Sequence, residues 1–266
     1  MQKCTFTDQM GRSISLDFPP KRIISLVPSQ TELLFDLGLD EEIVGITKFC
    51  IHPKDKYKSK VKVGGTKKLN MEMIRSLKPD LIIANKEENE QAQMEELMLE
   101  FPVWMSDITL LEDALEMIEQ IGSLTGTSEK ALQIASSIEK NFSGLKLKDS
   151  LQKKVAYFIW KDPYMLAAKN TFIDQILARA GFANVSLMNR YPIVELLDLK
   201  ALKPDLIFLS SEPYPFKDEH VSEMKNIFPD ADVFIVDGEL FSWYGSRLRY
   251  TADYLLRLLE KINCHP

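Results

Sequence analysis

The chain alternates between short apolar runs and longer segments whose apolar positions recur every three or four residues. The runs are continuous and rich in Ile, Val and Leu, which is typical of parallel strands covered on both faces. We predict strands at 22–27, 43–47, 81–84, 103–105, 155–160, 206–210 and 233–236. We predict helices at 31–37, 71–77, 91–100, 111–124, 171–180, 194–202, 219–227 and 246–262. Strands that alternate with helices indicate an α/β fold.

One hexapeptide occurs twice: Leu77–Ile82 is repeated letter for letter as Leu202–Ile207. Each copy ends a helix at Lys-Pro, because proline cannot continue a helix and pushes the preceding residue out of the helical region. Such a turn is common in α/β proteins, which is the simpler interpretation. An identity of this length at matching places in the two halves favours duplicated lobes.

The segment between the halves, Thr127–Leu151, has apolar positions at helical spacing and no strand pattern. We therefore predict an N-terminal α/β lobe at 1–126, a connecting helix at 127–151 and a C-terminal α/β lobe at 152–266. A helical connector is a stiff spacer rather than a flexible hinge.

Composition narrows the possible functions. The 266 residues suffice for about two domains. The net charge of −6 argues against nucleic-acid binding, and three separated cysteines argue against a disulfide framework or a zinc knuckle. The longest apolar run, Val155–Trp160, is too short for a membrane span. No apolar leader follows Met1, so we expect a cytoplasmic protein if Met1 is the native start.

Three segments, Arg22–Leu33, Val63–Thr66 and Ile74–Ile82, resemble the N-terminal lobe of the helical-backbone metal receptors, and Thr7–Arg12 resembles their opening hairpin. These receptors are the iron-chelate and cobalamin type substrate-binding proteins of ABC importers. The resemblance covers about residues 5–262, nearly the whole chain. It implies two Rossmann-like α/β lobes joined by a single long rigid helix, with a ligand clamped between the lobes and little hinge motion.

The resemblance also implies ligand, partner and location. The ligand would be a metal chelate, first a corrinoid such as cobalamin and otherwise haem or a ferric siderophore, with no intrinsic cofactor. The partner would be an importer permease, the location periplasmic and the protein a monomer. Cobalamin receptors carry an aromatic residue where this chain has Asn85, which is a departure from their pattern.

Ligands of open α/β sheets lie beyond the carboxyl ends of the strands. After the first predicted strand, Ser29 and Gln30 begin a helix, and Ser29-x-x-Glu32 has the form of a capping box. The free N–H groups of a helix start can bind a polar or anionic ligand group. A helix cap without any ligand role is the equally simple interpretation.

Two further loops of the N-terminal lobe hold candidates. Cys50-x-His52 follows the second strand, and His52 could be the axial ligand of a corrinoid metal or a haem iron, or simply a solvated histidine. Asn85 and Lys86 follow the third strand and could bind ligand amides or carboxylates, although a helix-capping loop also explains them.

In the C-terminal lobe the candidates are aromatic residues in loops, where they can offer a flat surface to a ligand. They are Tyr164, Tyr191, Tyr214, Trp243 and Tyr244. Arg247 and Arg249 fall in the predicted first turn of the last helix, against the helix dipole. Cations there need another reason, and we interpret the placement of Arg247 as pointing to a ligand that carries a carboxylate.

The resemblance implies one acidic side chain on each lobe that meets basic residues of the importer. The helices after the third strands are equivalent by the repeat, and Glu90 and Glu219 lie near their starts. The dipole preference for acids at a helix start is the simpler explanation.

The predicted function is therefore a substrate-binding protein for a metal chelate. A cytoplasmic chelate-binding or interaction protein of the same fold is the alternative. An enzyme is less well supported, because the sequence has no GxGxxG after the first strand, no Walker A motif, no GxSxG and no HExxH.

Overall fold

The computed structural model describes residues 2–145 and 152–264. The strands are β1 (Gln2–Thr7), β2 (Ser13–Phe18), β3 (Ile23–Ser25), β4 (Ile43–Ile46), β5 (Val61–Lys62), β6 (Leu81–Asn85), β7 (Val103–Ser106), β8 (Lys154–Trp160), β9 (Met165–Leu166), β10 (Ala183–Asn184), β11 (Leu206–Ser210) and β12 (Asp232–Val236). The helices are α1 (Pro28–Asp36), α2 (Lys54–Tyr57), α3 (Met71–Leu77), α4 (Gln91–Met98), α5 (Leu111–Thr125), α6 (Ser128–Ser143), α7 (Phe172–Arg179), α8 (Leu196–Ala201), α9 (Asp218–Ile227), α10 (Gly238–Ser242) and α11 (Leu248–Asn263). Among the described residues, no helix combines the length and the apolar character that a membrane crossing requires.

The chain forms two compact units. Of the described residues, the N-terminal unit comprises 2–108, 112–139 and 244–249, and the C-terminal unit comprises 109–111, 140–145, 152–243 and 250–264. The helix predicted at 127–151 corresponds to α6, which ends at Ser143. Residues 146–151 lie outside the described part of the chain. The single long connector and the lobe boundaries therefore stay predictions.

The N-terminal unit is built on a parallel sheet with strand order β5-β4-β3-β6-β7. Every residue of β3, β6 and β7 is buried, as the continuous apolar runs predict for a sheet covered on both faces. Ile24 and Ile82 pack in one core with Met94 and Leu97 of α4. The carboxyl ends of these strands therefore meet at one edge of a rigid sheet.

The C-terminal unit repeats this arrangement. Its sheet has the order β10-β8-β11-β12, with all neighbouring strands parallel, and β9 pairs antiparallel with β8. When β3, β4, β6 and β7 of the first sheet and β8, β10, β11 and β12 of the second are taken as the four main strands, numbered along the chain, both sheets have the spatial order 2-1-3-4. The strands β10, β8, β11 and β12 therefore correspond to β4, β3, β6 and β7.

The repeated hexapeptide occupies equivalent positions in the two units, as predicted. Lys78 and Lys203 both adopt left-handed backbone conformations, with φ of 48° and 49°. Asp80 accepts hydrogen bonds from the N–H groups of Lys21 (2.7 Å) and Arg22 (2.8 Å). Asp205 accepts one from Lys154 N–H (2.6 Å). Each aspartate thus ties the start of its unit's third main strand to the start of the first.

The hairpin formed by β1 and β2 protects the outer edge of β7. The two strands are antiparallel, with Thr7 opposite Ser13, which confirms the predicted opening hairpin. Gln9 N–H donates to the Met105 carbonyl, the Asp8 carboxylate accepts from Met105 N–H, and the Gln9 side chain accepts from Asp107 N–H, each at 3.2 Å. The turn therefore provides hydrogen bonds that a further strand would otherwise make.

Candidate functional site

The first helix of the N-terminal unit begins without a side-chain cap. Its N-cap is Val27 and its first residue is Pro28, which suits that position because a proline lacks the N–H that would be unpaired there. Ser29 consequently lies inside the first turn, so the predicted capping box of Ser29 and Glu32 is wrong. The first intrahelical bond runs from Thr31 N–H to the Val27 carbonyl at 2.9 Å.

Ser29 and Gln30 bring polar atoms to the carboxyl edge of the sheet. Both residues are buried, and Ser29 Oγ and Gln30 Oε1 have no hydrogen-bond partner. The other end of the Gln30 amide donates from Nε2 to Ser106 Oγ at 2.5 Å. Ser106 is the last residue of β7. Sequence reasoning did not select it, although the strand-end rule that selected Ser29 applies to it equally.

Asn85 and Lys86 occupy the neighbouring strand end. The Asn85 side chain donates to Ser106 Oγ at 3.0 Å and accepts from the N–H groups of Glu87 (2.8 Å) and Glu88 (3.0 Å). Lys86 is exposed and pairs with Asp107 at 2.5 Å. Gln30 and Asn85 thus share Ser106 as a hydrogen-bond partner. Asn85 also organises the loop before α4, in line with the interpretation of this segment as a helix-capping loop.

The Cys50-x-His52 pair does not form a thiolate site. Cys50 is buried, with its sulfur 3.1 Å from the hydroxyls of Thr31 and Thr47. This burial raises the pKa of the Cys50 thiol to about 11, so the group is neutral at pH 7. Within residues 2–145 and 152–264, no group of three or more His, Cys, Asp or Glu side chains could hold a metal ion. Axial ligation by a single imidazole, His52, stays a prediction.

The segment from Tyr244 to Arg249 packs within the N-terminal unit. Tyr244 O–H donates to Glu88 at 2.6 Å. Arg247 makes a two-pronged pair with Glu32 of α1, at 2.8 and 2.7 Å, and Arg249 pairs with Asp36 at 2.6 Å. The carboxylates that these cations required therefore belong to the chain itself, and their placement needs no ligand carboxylate. Arg247 also precedes α11 rather than lying in its first turn.

The Glu32–Arg247 pair is largely buried, with side-chain exposures of 15% and 16%. Burial raises the pKa of Glu32, although the hydrogen bonds and charge of Arg247 lower it. The Arg247 guanidinium therefore offsets part of the effect of burial on Glu32.

The C-terminal unit gathers aromatic residues after its strands. Tyr164 O–H donates to Glu223 at 2.7 Å, and the Tyr214 oxygen lies 3.3 Å from His220 Nε2. The rings of Tyr214 and Trp160 meet edge to face, 5.7 Å apart. These contacts connect the loops after β8 and β11 to α9, which fixes the ring positions. Tyr191 is half-buried and lies 5.7 Å from the Arg190 guanidinium.

Trp243 is held by an acidic residue that sequence reasoning missed. Its indole N–H donates to Glu212 at 2.8 Å, and Ser242 Oγ donates to the same oxygen at 3.1 Å. Trp243 is only 8% exposed. Burial raises the pKa of Glu212, as do the nearby carboxylates of Glu239 and Asp237. Glu212 follows β11, so the strand-end rule could have selected it.

Sequence comparison assigns the chain to a family. The periplasmic binding protein family matches residues 23–227, more than half of the chain. The chain belongs to the periplasmic binding protein family. This membership accounts for a fold of two α/β units whose candidate residues follow the strands.

Two proteins with similar sequences are a vitamin B12-binding protein and an ABC transporter lipoprotein. This periplasmic binding protein is 27% identical over 197 residues to the vitamin B12-binding protein of Vibrio parahaemolyticus, covering 72% of this chain and 71% of the relative. It is 28% identical over 184 residues to an uncharacterized ABC transporter substrate-binding lipoprotein of Bacillus subtilis, covering 65% of this chain and 58% of the relative.

Two solved structures share the fold. The vitamin B12 binding protein of Vibrio cholerae superposes with a TM-score of 0.76 at 21% identity, covering 94% of this chain and 100% of that one. A periplasmic haem-binding protein of Pseudomonas aeruginosa gives a TM-score of 0.75 at 21% identity, covering 89% and 91%. They confirm the predicted α/β fold class of this periplasmic binding protein.

The two predicted docking residues of this periplasmic binding protein differ in their surroundings. Glu90 is exposed and caps α4 by accepting from Gln93 N–H at 3.1 Å, which lowers the pKa of its carboxyl group. Glu219 lies in the first turn of α9, with its side chain 73% exposed and 3.9 Å from the His220 ring. The equivalence of β6 and β11 makes α4 and α9 equivalent helices.

Proposed function

We propose that this periplasmic binding protein binds a corrinoid of the cobalamin class and presents it to the permease of an ABC importer. The similarity to a vitamin B12-binding protein over 72% of the chain carries the proposal. The Bacillus relative, whose name places it with an ABC transporter, supports the importer. Binding without catalysis and a monomeric state are parts of the same proposal.

The chemistry of the strand ends suits such a ligand. A corrinoid is a flat macrocycle with amide side chains. The aromatic rings of Tyr164, Tyr191, Tyr214, Trp243 and Tyr244 would contact its apolar surface. Ser29, Gln30, Asn85, Lys86 and Arg247 would meet its polar rim, and His52 would be the axial ligand of its cobalt.

Haem is the second candidate ligand. Asn85 stands where the cobalamin pattern has an aromatic residue, and a haem-binding protein shares the fold with a TM-score of 0.75. The same His52 imidazole could bind haem iron.

A titration of the purified chain distinguishes these candidates. Cyanocobalamin, haemin and a ferric siderophore are added separately, and the absorbance spectrum and the melting temperature are recorded. We expect cyanocobalamin to raise the melting temperature at one equivalent and to be recovered chemically unchanged. A response to haemin alone would assign the second candidate, and no response to any of the three would contradict chelate binding.

We place the protein in the periplasm or on the outer face of the cell membrane, as the family name and the lipoprotein relative suggest. Cell fractionation of the native gene product tests this location. Recovery in the cytosol would support the alternative, a cytoplasmic chelate-binding protein of the same fold.

A further inference from the structure

Among the buried side-chain oxygen atoms of the N-terminal unit that lack a hydrogen-bond partner, three belong to fully buried residues: Ser29 Oγ, Gln30 Oε1 and Ser246 Oγ. Their residues are 2%, 0% and 0% exposed. A buried polar group without a partner costs free energy, so such atoms call for an explanation. All three lie beside helix starts, two in the first turn of α1 and one just before α11.

The backbone brings the residues Ser29 and Ser246 close to each other. Gly245 packs directly on α1, since a Cβ atom at this position would lie 2.4 Å from the Ser29 carbonyl oxygen. Ser246 follows immediately. The absence of a side chain at position 245 therefore allows the start of α11 to approach Ser29.

Ser106 is the hydrogen-bond partner of the Gln30 amide nitrogen. Ser106 Oγ donates to the Ala84 carbonyl at 3.2 Å and accepts from Gln30 Nε2 at 2.5 Å. Gln30 Oε1 is then an acceptor that needs a donor. Ser29 provides the complement, because its hydroxyl has a proton to donate at an uncapped helix start.

We propose that Ser29 and Gln30 form a subsite for a primary carboxamide of the ligand. The ligand carbonyl accepts from the Ser29 hydroxyl, and the ligand NH₂ donates to Gln30 Oε1. The inference rests on the proposed function, since the amide side chains of a corrinoid supply such groups. It goes further by assigning this subsite a choice between amide and acid.

A carboxylate fits this subsite poorly. It can accept from Ser29, but it has no N–H for Gln30 and would place an anionic oxygen against Oε1. The guanidinium of Arg247, the residue after Ser246, makes a two-pronged pair with Glu32. A helix start attracts anions as well as carbonyl dipoles, so Gln30 Oε1 is the atom that discriminates.

The test uses cyanocobalamin and its isomeric monoacids, in each of which one propionamide has been hydrolysed to a carboxylate. Dissociation constants are measured by equilibrium dialysis. We expect one isomer to bind the unmodified protein about tenfold or more weakly than cyanocobalamin, because Gln30 Oε1 loses its donor. The other isomers should bind like the parent compound and thus serve as internal controls.

Two variants separate the two roles. Gln30→Met keeps the shape of the side chain but removes the acceptor, so it should weaken the binding of cyanocobalamin. The dissociation constant of the weakly bound monoacid should then lie within about threefold of that of cyanocobalamin. Ser29→Ala removes a donor that the amide and the acid both use. It should therefore lower the affinity for cyanocobalamin and for the monoacid by a similar factor of about two to ten. Gln133→Glu, on the exposed face of α6, is the matched control and should change nothing.

Gln30→Glu guards against poor folding of the methionine variant. Its carboxylate still accepts from an amide but repels an acid. The ratio of the dissociation constants of the monoacid and of cyanocobalamin should therefore increase. An unchanged amide-to-acid ratio in both Gln30 variants would overturn the subsite. So would changes in melting temperature without changes in affinity, which would assign these atoms to a buried water. Absence of all corrinoid binding by the unmodified protein overturns the proposed function, and this inference with it.

Discussion

Trp243 is anchored at its polar end. The bond from its indole N–H to Glu212 and the low exposure of the ring fix one orientation. Neither partner is close to the other in sequence. An aromatic side chain held in this way loses little conformational entropy on binding a ligand.

We expect Trp243→Ala to weaken corrinoid binding by about 1–3 kcal/mol, because it removes a large buried surface. Trp243→Phe keeps a ring but loses the hydrogen bond to Glu212. Its affinity should lie between that of Trp243→Ala and that of the unmodified chain. Calorimetric titration measures both, with the exposed Leu202→Ala of the same unit as control. Equal affinity of a folded Trp243→Ala variant and the unmodified chain would contradict ligand contact.

Cysteine reactivity provides a second residue-scale prediction. Cys264 is exposed, whereas Cys50 is buried with a thiol pKa of about 11. A variant with Cys4→Ser and Cys264→Ser should therefore not react with a thiol reagent at pH 8 while folded, and should release one equivalent in denaturant. Restoring Cys264 gives the positive control. Rapid modification of the folded double variant would show that Cys50 is accessible.

At the scale of elements, one ion pair fastens the segment before α11 to α1. Glu32 and Arg247 are 215 positions apart, so a single sequence could not pair them. Burial already favours protonation of Glu32.

Arg247→Met should therefore lower the free energy of unfolding by about 2–4 kcal/mol at pH 7, because it leaves a buried carboxylate without a partner. Glu32→Gln should cost less, since a neutral amide still bonds to the guanidinium. A raised folded-state pKa contributes stability that is present below pH 4.5 and lost as the pH rises. The difference in free energy of unfolding between Arg247→Met and the unmodified chain should thus become smaller towards pH 4.5.

Urea unfolding at pH 7 and pH 4.5 measures both variants. A deficit of Arg247→Met that stays constant between these pH values would show that Glu32 does not take up a proton.

Local signals predicted elements well where they were strong. The bounds of α3 and β11 agree with the predicted ones, and Asn70 caps α3 as the residue type suggests. The start of α1 was missed because the hydrophobic pattern begins at residue 31, whereas Pro28 already favours the helix. Two-residue strands such as β9 and β10 carry too short a pattern to be seen.

The candidate site was predictable only in part. The strand-end rule selected Ser29, Gln30 and Asn85, which the fold brings to one sheet edge. The same rule could have selected Ser106 and Glu212. The partners of these two residues, and the pairing of Glu32 with Arg247, depend on contacts between distant segments, which follow from the packing of the complete units.

At the scale of the whole molecule, the duplicated sheet order suggests two matching contact points for an importer. We expect the double variant Glu90→Gln, Glu219→Gln to weaken association with the permease, most strongly at low salt, because exposed charges are screened at high salt. Glutamine at position 90 keeps an acceptor for the α4 cap. Ligand affinity should not change.

Co-sedimentation with importer-containing vesicles at two salt concentrations measures this association. The control replaces two other exposed acids, Glu129→Gln and Glu260→Gln, which conserve the total charge change. Normal docking by the first double variant would contradict the assignment of these two residues.

The hairpin of β1 and β2 has a consequence for solubility. Its turn satisfies backbone groups of β7 at the margin of the N-terminal sheet. Without residues 2–18, that margin would be a bare template onto which the same strand of another molecule could add. We expect the truncated protein to form concentration-dependent aggregates with cross-β diffraction or thioflavin fluorescence. Gln9→Ala, which removes only the side-chain bonds to Asp107 N–H and to the Asp113 carbonyl, should remain dispersed in light scattering. A truncated chain that stays monomeric would mean that the margin is guarded by something other than the hairpin. Aggregation of the truncated chain would mean that the first task of the hairpin is not to hold the fold together but to keep neighbouring molecules apart.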